Sequence, residues 1–233
     1  MTDDQAALAK FDGTARLFPM PNLVFFPHVV QSLHIFESRY RQMAADAIAD
    51  DQLIAIVLLR GDWENDYDAS PEIETVACLG RITGHELMPD GRYNMRLRGI
   101  ARVRIVEELS TDKLYRVARA EPILDVVSVD IQQLMALRRQ LAAVVLSRFD
   151  PTGLAHAHLH DLFHGETPLG PLCDMLSYAL PIELELKQLL LAEPHAHSRA
   201  EILTTALRLP ESETSSDGVI QSPRKFPPDF SPN

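Results

Sequence analysis

Hydrophobic and polar positions change rhythm near residue 125. Before it, apolar residues come in short runs or alternate with polar ones; after it they recur every three or four positions. The clearest alternation is "YNMRLRGIARVRI" (93–105). Tyr93, Met95, Leu97, Val103 and Ile105 share one parity there, while Arg96, Arg98, Arg102 and Arg104 share the other. That period of two predicts a strand with one dry and one wet face. Asp90-Gly91 just ahead of it predicts a hairpin turn, glycine supplying the positive φ. "TVACLGRITGHELM" and "LYRVARAEPIL" (114–124) read as neighbouring strands, and "QLIAIVLL" as a short buried one. One helix interrupts them, "ESRYRQMAADAIAD" (37–50), with Tyr40, Met43, Ala44, Ala47 and Ile48 on one face and Glu37 at its start.

The segment "LFPMPNLVFFPHVVQSLHIFESRYRQM" (17–43) is apolar yet carries Pro19, Pro21 and Pro27, none of which has a backbone N–H. Proline belongs at sheet edges and strand ends. The expected layout is a first edge strand closed by Pro19 and Pro21, a loop broken by Pro27, and a second strand in "VVQSLHIF". Leu33 and Ile35 then point inward, with Ser32 and His34 outward.

From about 128 to 209 the spacing is helical. Ile131, Leu134, Leu137, Leu141 and Val144/Val145 form a stripe. Asp150-Pro151 and Thr167-Pro168 read as N-cap and first-turn pairs, and "PIELELKQLLLAE" and "PHAHSRAEILTTALRL" open at prolines. Four helices in a compact bundle are expected. The fold class is therefore α+β: a partly open β-barrel with one early helix, then a C-terminal α-helical bundle. The boundaries expected are a flexible N-terminus over 1–13, the β domain over 14–125, the bundle over 126–210, and a polar, proline-rich, disordered tail over 211–233.

Composition narrows the function. The chain has 233 residues, 46% hydrophobic and 24% charged, enough for a sizeable core. Its net charge is −11, and each of the segments 1–13, 14–125 and 126–233 is acidic. Such a surface repels phosphate backbones and anionic lipid, so nucleic acid and membrane are not expected partners. "LIAIVLL" is too short to span a bilayer. "MTDDQAALAKFD" lacks the apolar run of a secretory signal. Cys78 and Cys173 are too few for a disulfide framework or metal knuckle and are read as buried apolar residues. A cytoplasmic location is expected.

Chemistry is sparse. A phosphate-binding loop needs a lysine directly after glycine, and none of Lys10, Lys113, Lys187 and Lys225 follows one. There is no G-x-S-x-G elbow, and "HELMPD" begins like a zinc helix before running into proline. His156, His160 and His164 fall four apart, the spacing that suits a metal on one helical face. They carry the alternative reading, a metal- or small-molecule-dependent enzyme using that helix or a pocket between the halves. Arg96, Arg98, Arg102 and Arg104, with Arg81 and Arg92 nearby, form a ladder suited to carboxylates. The acidic loop over 62–74 is expected to fold beside this ladder and neutralise it; an acidic peptide or protein partner and, behind it, RNA are the competing occupants. Trp63 and Tyr67 in that loop, and Phe25 and Phe26 beside Pro27, are the candidate aromatic contacts.

Three stretches together, "LFPMPNLVFFPHVVQSLHIFESRYRQM", "CLGRITGHELMPDGRYNMRLRGIARVRIVEEL" and "YRVARAEPIL", resemble the N-terminal, substrate-binding domain of the ATP-dependent Lon protease. The resemblance extends from residue 14 to about 209. It implies a PUA-like β domain followed by helices, acting as a recognition module for polypeptides. In the full protease ATPase and peptidase domains follow; here a standalone module without them is expected. The resemblance thus implies a non-enzymatic binder with no cofactor. Its expected partner is a polypeptide or another protein, the proteolytic machinery included.

Overall fold

The computed structural model describes residues 2–61, 71–126 and 128–208. In chain order the elements are α1 (Asp3–Lys10), β1 (Thr14–Met20), β2 (Val30–Ile35), α2 (Ser38–Ala49), β3 (Leu53–Leu58), β4 (Val76–Leu87), β5 (Tyr93–Leu109) and β6 (Val117–Ile123). Five helices follow: α3 (Ile131–Leu146), α4 (Leu154–His164), α5 (Leu169–Ala179), α6 (Leu184–Ala192) and α7 (Ala196–Arg208).

The strands form one sheet in the order β2-β5-β4-β3-β1-β6. β6 also pairs with β5, so the sheet curls into a partly open barrel with β2 on its flank. β1 and β3 run parallel, Leu17 opposite Ala55, and the other pairs are antiparallel. The 17-residue β5 makes this possible: its first half lies between β2 and β4, its second between β4 and β6.

A register shift in β5 decides what each face does. Leu79 opposes Ala101, but Gly80 opposes Gly99, leaving Ile100 as an extra residue. A bulge of this kind reverses the faces beyond it. Leu97 packs in one core with Phe25 and Leu33, whereas Val103, of the same sequence parity, packs in another with Leu17 and Leu79. The second core fills the barrel with small side chains such as Ala55, Ala77, Ala118 and Ala120. The first runs from the sheet's outer face through α2 into α5, α6 and α7, so strands and helices share one apolar interior.

The prolines fall where a missing donor costs nothing. The Leu17 N–H bonds the Arg116 carbonyl beside β6 (2.9 Å). Two residues on, Pro19 faces the same side, where β6 no longer pairs. Pro27 sits in the loop that crosses β5 at Gly99. There the His28 N–H donates to the Gly99 carbonyl (2.8 Å), and the Gly99 N–H donates to the Val29 carbonyl (2.9 Å). A Cβ at residue 99 would lie 2.1 Å from the Phe26 carbonyl oxygen, so the crossing requires glycine.

Several expectations are corrected. Residues 3–10 form a helix capped by Thr2 in a reciprocal capping box with Gln5, where a flexible end was expected. The bundle has five described helices, not four. Asp150-Pro151 makes a turn, with Asp150 accepting from the Thr152 N–H, and α4 starts later at a Gly153 N-cap. Asp150 closes on its own backbone two residues ahead, the competing choice for a short acidic side chain. Phe25 and Phe26 are completely buried, because crossing β5 turns both rings into the shared core. They present no contact surface.

Candidate functional site

The bulge at Ile100 divides the arginine ladder between two environments. Arg96 and Arg98 precede it, on the face continuous with the barrel mouth. Arg102 follows it and enters the seam between sheet and bundle. Arg96 and Arg104 are exposed and make no ion pair among the described residues. Among the described residues, the carboxylates that meet the paired arginines of the ladder come from elements outside 62–74. Asp4 of α1 accepts from Arg81 Nη2 (2.8 Å) and Arg98 Nε (2.8 Å). Of the loop, residues 62–70, with Trp63 and Tyr67, lie outside the described residues; Glu74 pairs with Arg60 at 3.4 Å.

The seam holds a buried ionic cluster. Arg102, 2% exposed, hydrogen-bonds Asp174 of α5 through both terminal nitrogens. It also reaches Asp125 (3.1 Å) and donates through Nε to the Leu191 carbonyl (2.9 Å). Arg199 of α7, fully buried, donates to both Asp125 oxygens (3.1 and 2.6 Å) and to the Glu193 carbonyl (3.0 Å). Its Nε lies 3.5 Å from Asp174 Oδ1, an ion contact without hydrogen-bond geometry. Gly170 leaves the room, since a Cβ there would sit 2.8 Å from both Arg199 and Asp125. Burial alone would raise the Asp125 pKa, but hydrogen bonds from Arg199 and the charge of Arg102 outweigh it and hold the carboxyl below its usual range. At Asp174 burial wins and pushes the pKa up, against the pull of both guanidiniums. Two cations against two anions, with nearly all donors used, form a lock and leave no reactive group free. Of these four residues only Arg102 stood out in sequence; Asp125, Asp174 and Arg199 are isolated charges that only packing brings together.

Strand β2 presents the most open backbone. Among the described residues it pairs with β5 alone. Because the Val29 carbonyl faces β5, the backbone groups of Gln31, Leu33 and Ile35 face it too, while those of Val30, Ser32 and His34 face the free edge. The Gln31 side-chain amide covers the Ser32 carbonyl (2.7 Å), and Tyr178 of α5 hydrogen-bonds the Gln31 oxygen. Beside this edge runs a groove of about 220 Å³ lined by Phe18, Met20, Leu23, Phe36 and Tyr40. Met20, Leu23 and Phe36 are half-buried, so a ligand would gain apolar contact there. A shallower polar depression of about 530 Å³ lies over the β2–β5–β4 face, between Ser32, His34, Glu86, Asn94 and Arg96.

The histidine helix does not close on a metal. The rings of His160 and His164 stack at 4.0 Å, and His164 Nδ1 contacts the His160 carbonyl (2.8 Å). Among the described residues no three His, Cys, Asp or Glu side chains converge as ligands. The ionic cluster fills the seam in which the alternative reading had sought a pocket. Both cysteines are free and buried, with burial pushing the Cys173 thiol up to about 12 and Cys78 higher still. No described helix is long and apolar enough to cross a membrane.

The profile of one family, the ATP-dependent protease La (LON) substrate-binding domain, matches residues 14–208. Among curated proteins, Lon protease 2 of Myxococcus xanthus is 27% identical over 191 residues, covering 82% of this chain and 23% of the relative. The Lon protease of Anaeromyxobacter dehalogenans is 26% identical over 191 residues, covering 82% of this chain and 22% of the relative. The chain thus spans less than a quarter of the relatives' length. Among solved structures, the N-terminal domain of a Mycobacterium avium complex Lon protease superposes with a TM-score of 0.66 at 14% identity, covering 83% of this chain and 97% of that one. A Lon N-terminal domain protein from Xanthomonas campestris gives 0.58 at 23% identity, covering 82% and 97%.

Proposed function

Because this chain belongs to the LON substrate-binding domain family, we propose that it is a non-catalytic module that binds polypeptide, either an unfolded client or a partner protein such as a component of the proteolytic machinery. The observation that carries the reading is the free edge of β2 with an apolar groove beside it. An extended peptide adds to such an edge through main-chain hydrogen bonds, and alternate side chains drop into the groove. Gln31 then acts as a gatekeeper, because its amide occupies the Ser32 carbonyl that an added strand would use. Arg96, exposed on the adjoining face and without an ion pair among the described residues, supplies a rim contact for a carboxylate. Trp63 and Tyr67 belong to the same proposal as aromatic contacts.

The test is a titration of a permanently unfolded, carboxymethylated polypeptide against the full chain and Ser32→Pro. Proline removes an N–H that faces the free edge and leaves the β5 ladder intact. The expected result is saturable binding by the parent and a loss of about tenfold in the variant, roughly one or two main-chain hydrogen bonds. No binding by the parent, or equal binding by a folded variant, refutes the reading.

A further inference from the structure

Helix α1 lies outside the matched residues 14–208, yet it occupies the mouth of the barrel. It is held there by two kinds of contact. Asp4 takes both Arg81 and Arg98, with Arg81 Nε adding a bond at 3.1 Å. One turn on, Ala7 is buried against the barrel core and Leu8 and Phe11 pack partly onto it. A half-open depression of about 610 Å³ lies beside it, lined by Thr2, Asp3, Gln5, His28, Arg81 and Arg98.

The helix is also built to leave. Eight residues make a helix that is marginal alone, and partly exposed ion pairs contribute little. Beyond it the chain turns at Gly13, whose φ of +93° only glycine adopts freely, and is pinned to the sheet by the bond from the Ala120 N–H to the Gly13 carbonyl (2.8 Å). Detaching α1 therefore frees residues 2–12 without disturbing β1. What it uncovers is two adjacent guanidiniums above Ile100 and the small-residue barrel interior.

We propose that the barrel mouth under α1 is a second binding site, that its ligand is an acidic, helix-forming segment of a polypeptide partner, and that α1 is its built-in competitor. The chemistry of the ligand is defined by the segment now seated there: a carboxylate in the first turn that bridges Arg81 and Arg98, then small and aliphatic residues one turn later. The site is on the opposite face of the sheet from the Leu33–Ile35 core and does not depend on the β2 edge.

The probe is a fluorescein-labelled peptide of residues 2–12, TDDQAALAKFD, followed by anisotropy against the full chain. Closure by α1 lowers apparent affinity by the fraction of open molecules. The full-chain variant Asp4→Ala/Leu8→Ser is therefore expected to bind the peptide about tenfold or more tightly than the parent. Adding Arg81→Ser and Arg98→Ser should abolish binding, and a peptide with Asp3 and Asp4 both changed to lysine should not bind. A second measurement covers the case in which the unlatched variant misfolds. Excess unlabelled peptide should speed amide exchange over residues 3–10 of the unaltered protein, as α1 is displaced. Ser32→Pro should leave all of this unchanged, which separates the site from the β2 edge. The proposal is overturned if a folded unlatched variant fails to bind, or if binding survives loss of both arginines. It is equally overturned if unlatching yields only dimers by light scattering, with the peptide excluded.

Discussion

Gly99 and Asp174 show how much rests on single side chains. At residue 99 a methyl group would collide with the Phe26 backbone rather than with a movable side chain. Gly99→Ala should therefore destabilise the protein by about 3 kcal/mol, the upper range for overpacking, read as a shifted urea midpoint. Removing Asp174 leaves two guanidiniums that are 2% and 0% exposed to share the one carboxylate of Asp125, so one buried positive charge has no partner charge. Asp174→Ala is expected to cost about 3–5 kcal/mol, the penalty for leaving buried charge unpaired. Replacing Arg102, Asp125, Asp174 and Arg199 together by Met, Asn, Leu and Met should cost less than that single change, because no charge of the cluster is then left bare. Equal losses in the two variants would mean that the cluster stabilises by more than mutual satisfaction. Neither residue draws notice in the sequence, since a glycine's necessity depends on what crosses above it.

At the scale of elements, α1 and β2 were legible to different degrees. The alternation Ser32, Leu33, His34, Ile35 marked β2 and its inward face, and the structure agrees. Helix α1 was passed over as an acidic, flexible end, because a short helix is held by a distant pair of arginines rather than by its own pattern. Its docking is expected to depend on pH. Burial opposes ionisation of Asp4, but the bonds from Arg98 and Arg81 prevail and lower its pKa from 3.8. A lowered acid pKa stabilises the docked state above the ordinary value, and that contribution is lost as pH falls through the depressed one. After correction for intrinsic rates, protection of amides 3–10 should thus be lower at about pH 3 than at pH 6. Asp4→Asn should abolish the difference.

For the whole molecule, the decisive feature is a core and an ion cluster shared between sheet and bundle. Leu97 and Cys78 of the sheet lie in the same apolar cluster as Leu172 and Leu203 of the helices. Calorimetry should accordingly show a single unfolding transition in which strand and helix signals are lost together. Two resolved transitions would mean that the change of texture near residue 125 is a true domain boundary. Asp174→Ala should be able to separate them, because it removes the carboxylate by which α5 holds Arg102 of the sheet and leaves the apolar contacts.

Periodicity by itself determined the strands, the early helix and the helical second half, and three stretches of sequence carried the family resemblance, since each depends on residues near one another in the chain. The arginine ladder shows where that reasoning stops. Four arginines share one parity, yet the extra residue Ile100 sends Arg98 to the barrel mouth and Arg102 into the seam with Asp125, Asp174 and Arg199. The burial of Phe25 and Phe26 was decided the same way, by a loop crossing a distant strand. A bulge, a crossing and a docked helix are relations between segments far apart in sequence. Their energies come from contacts that exist only once the chain has folded, so tertiary structure alone assigned these residues their roles.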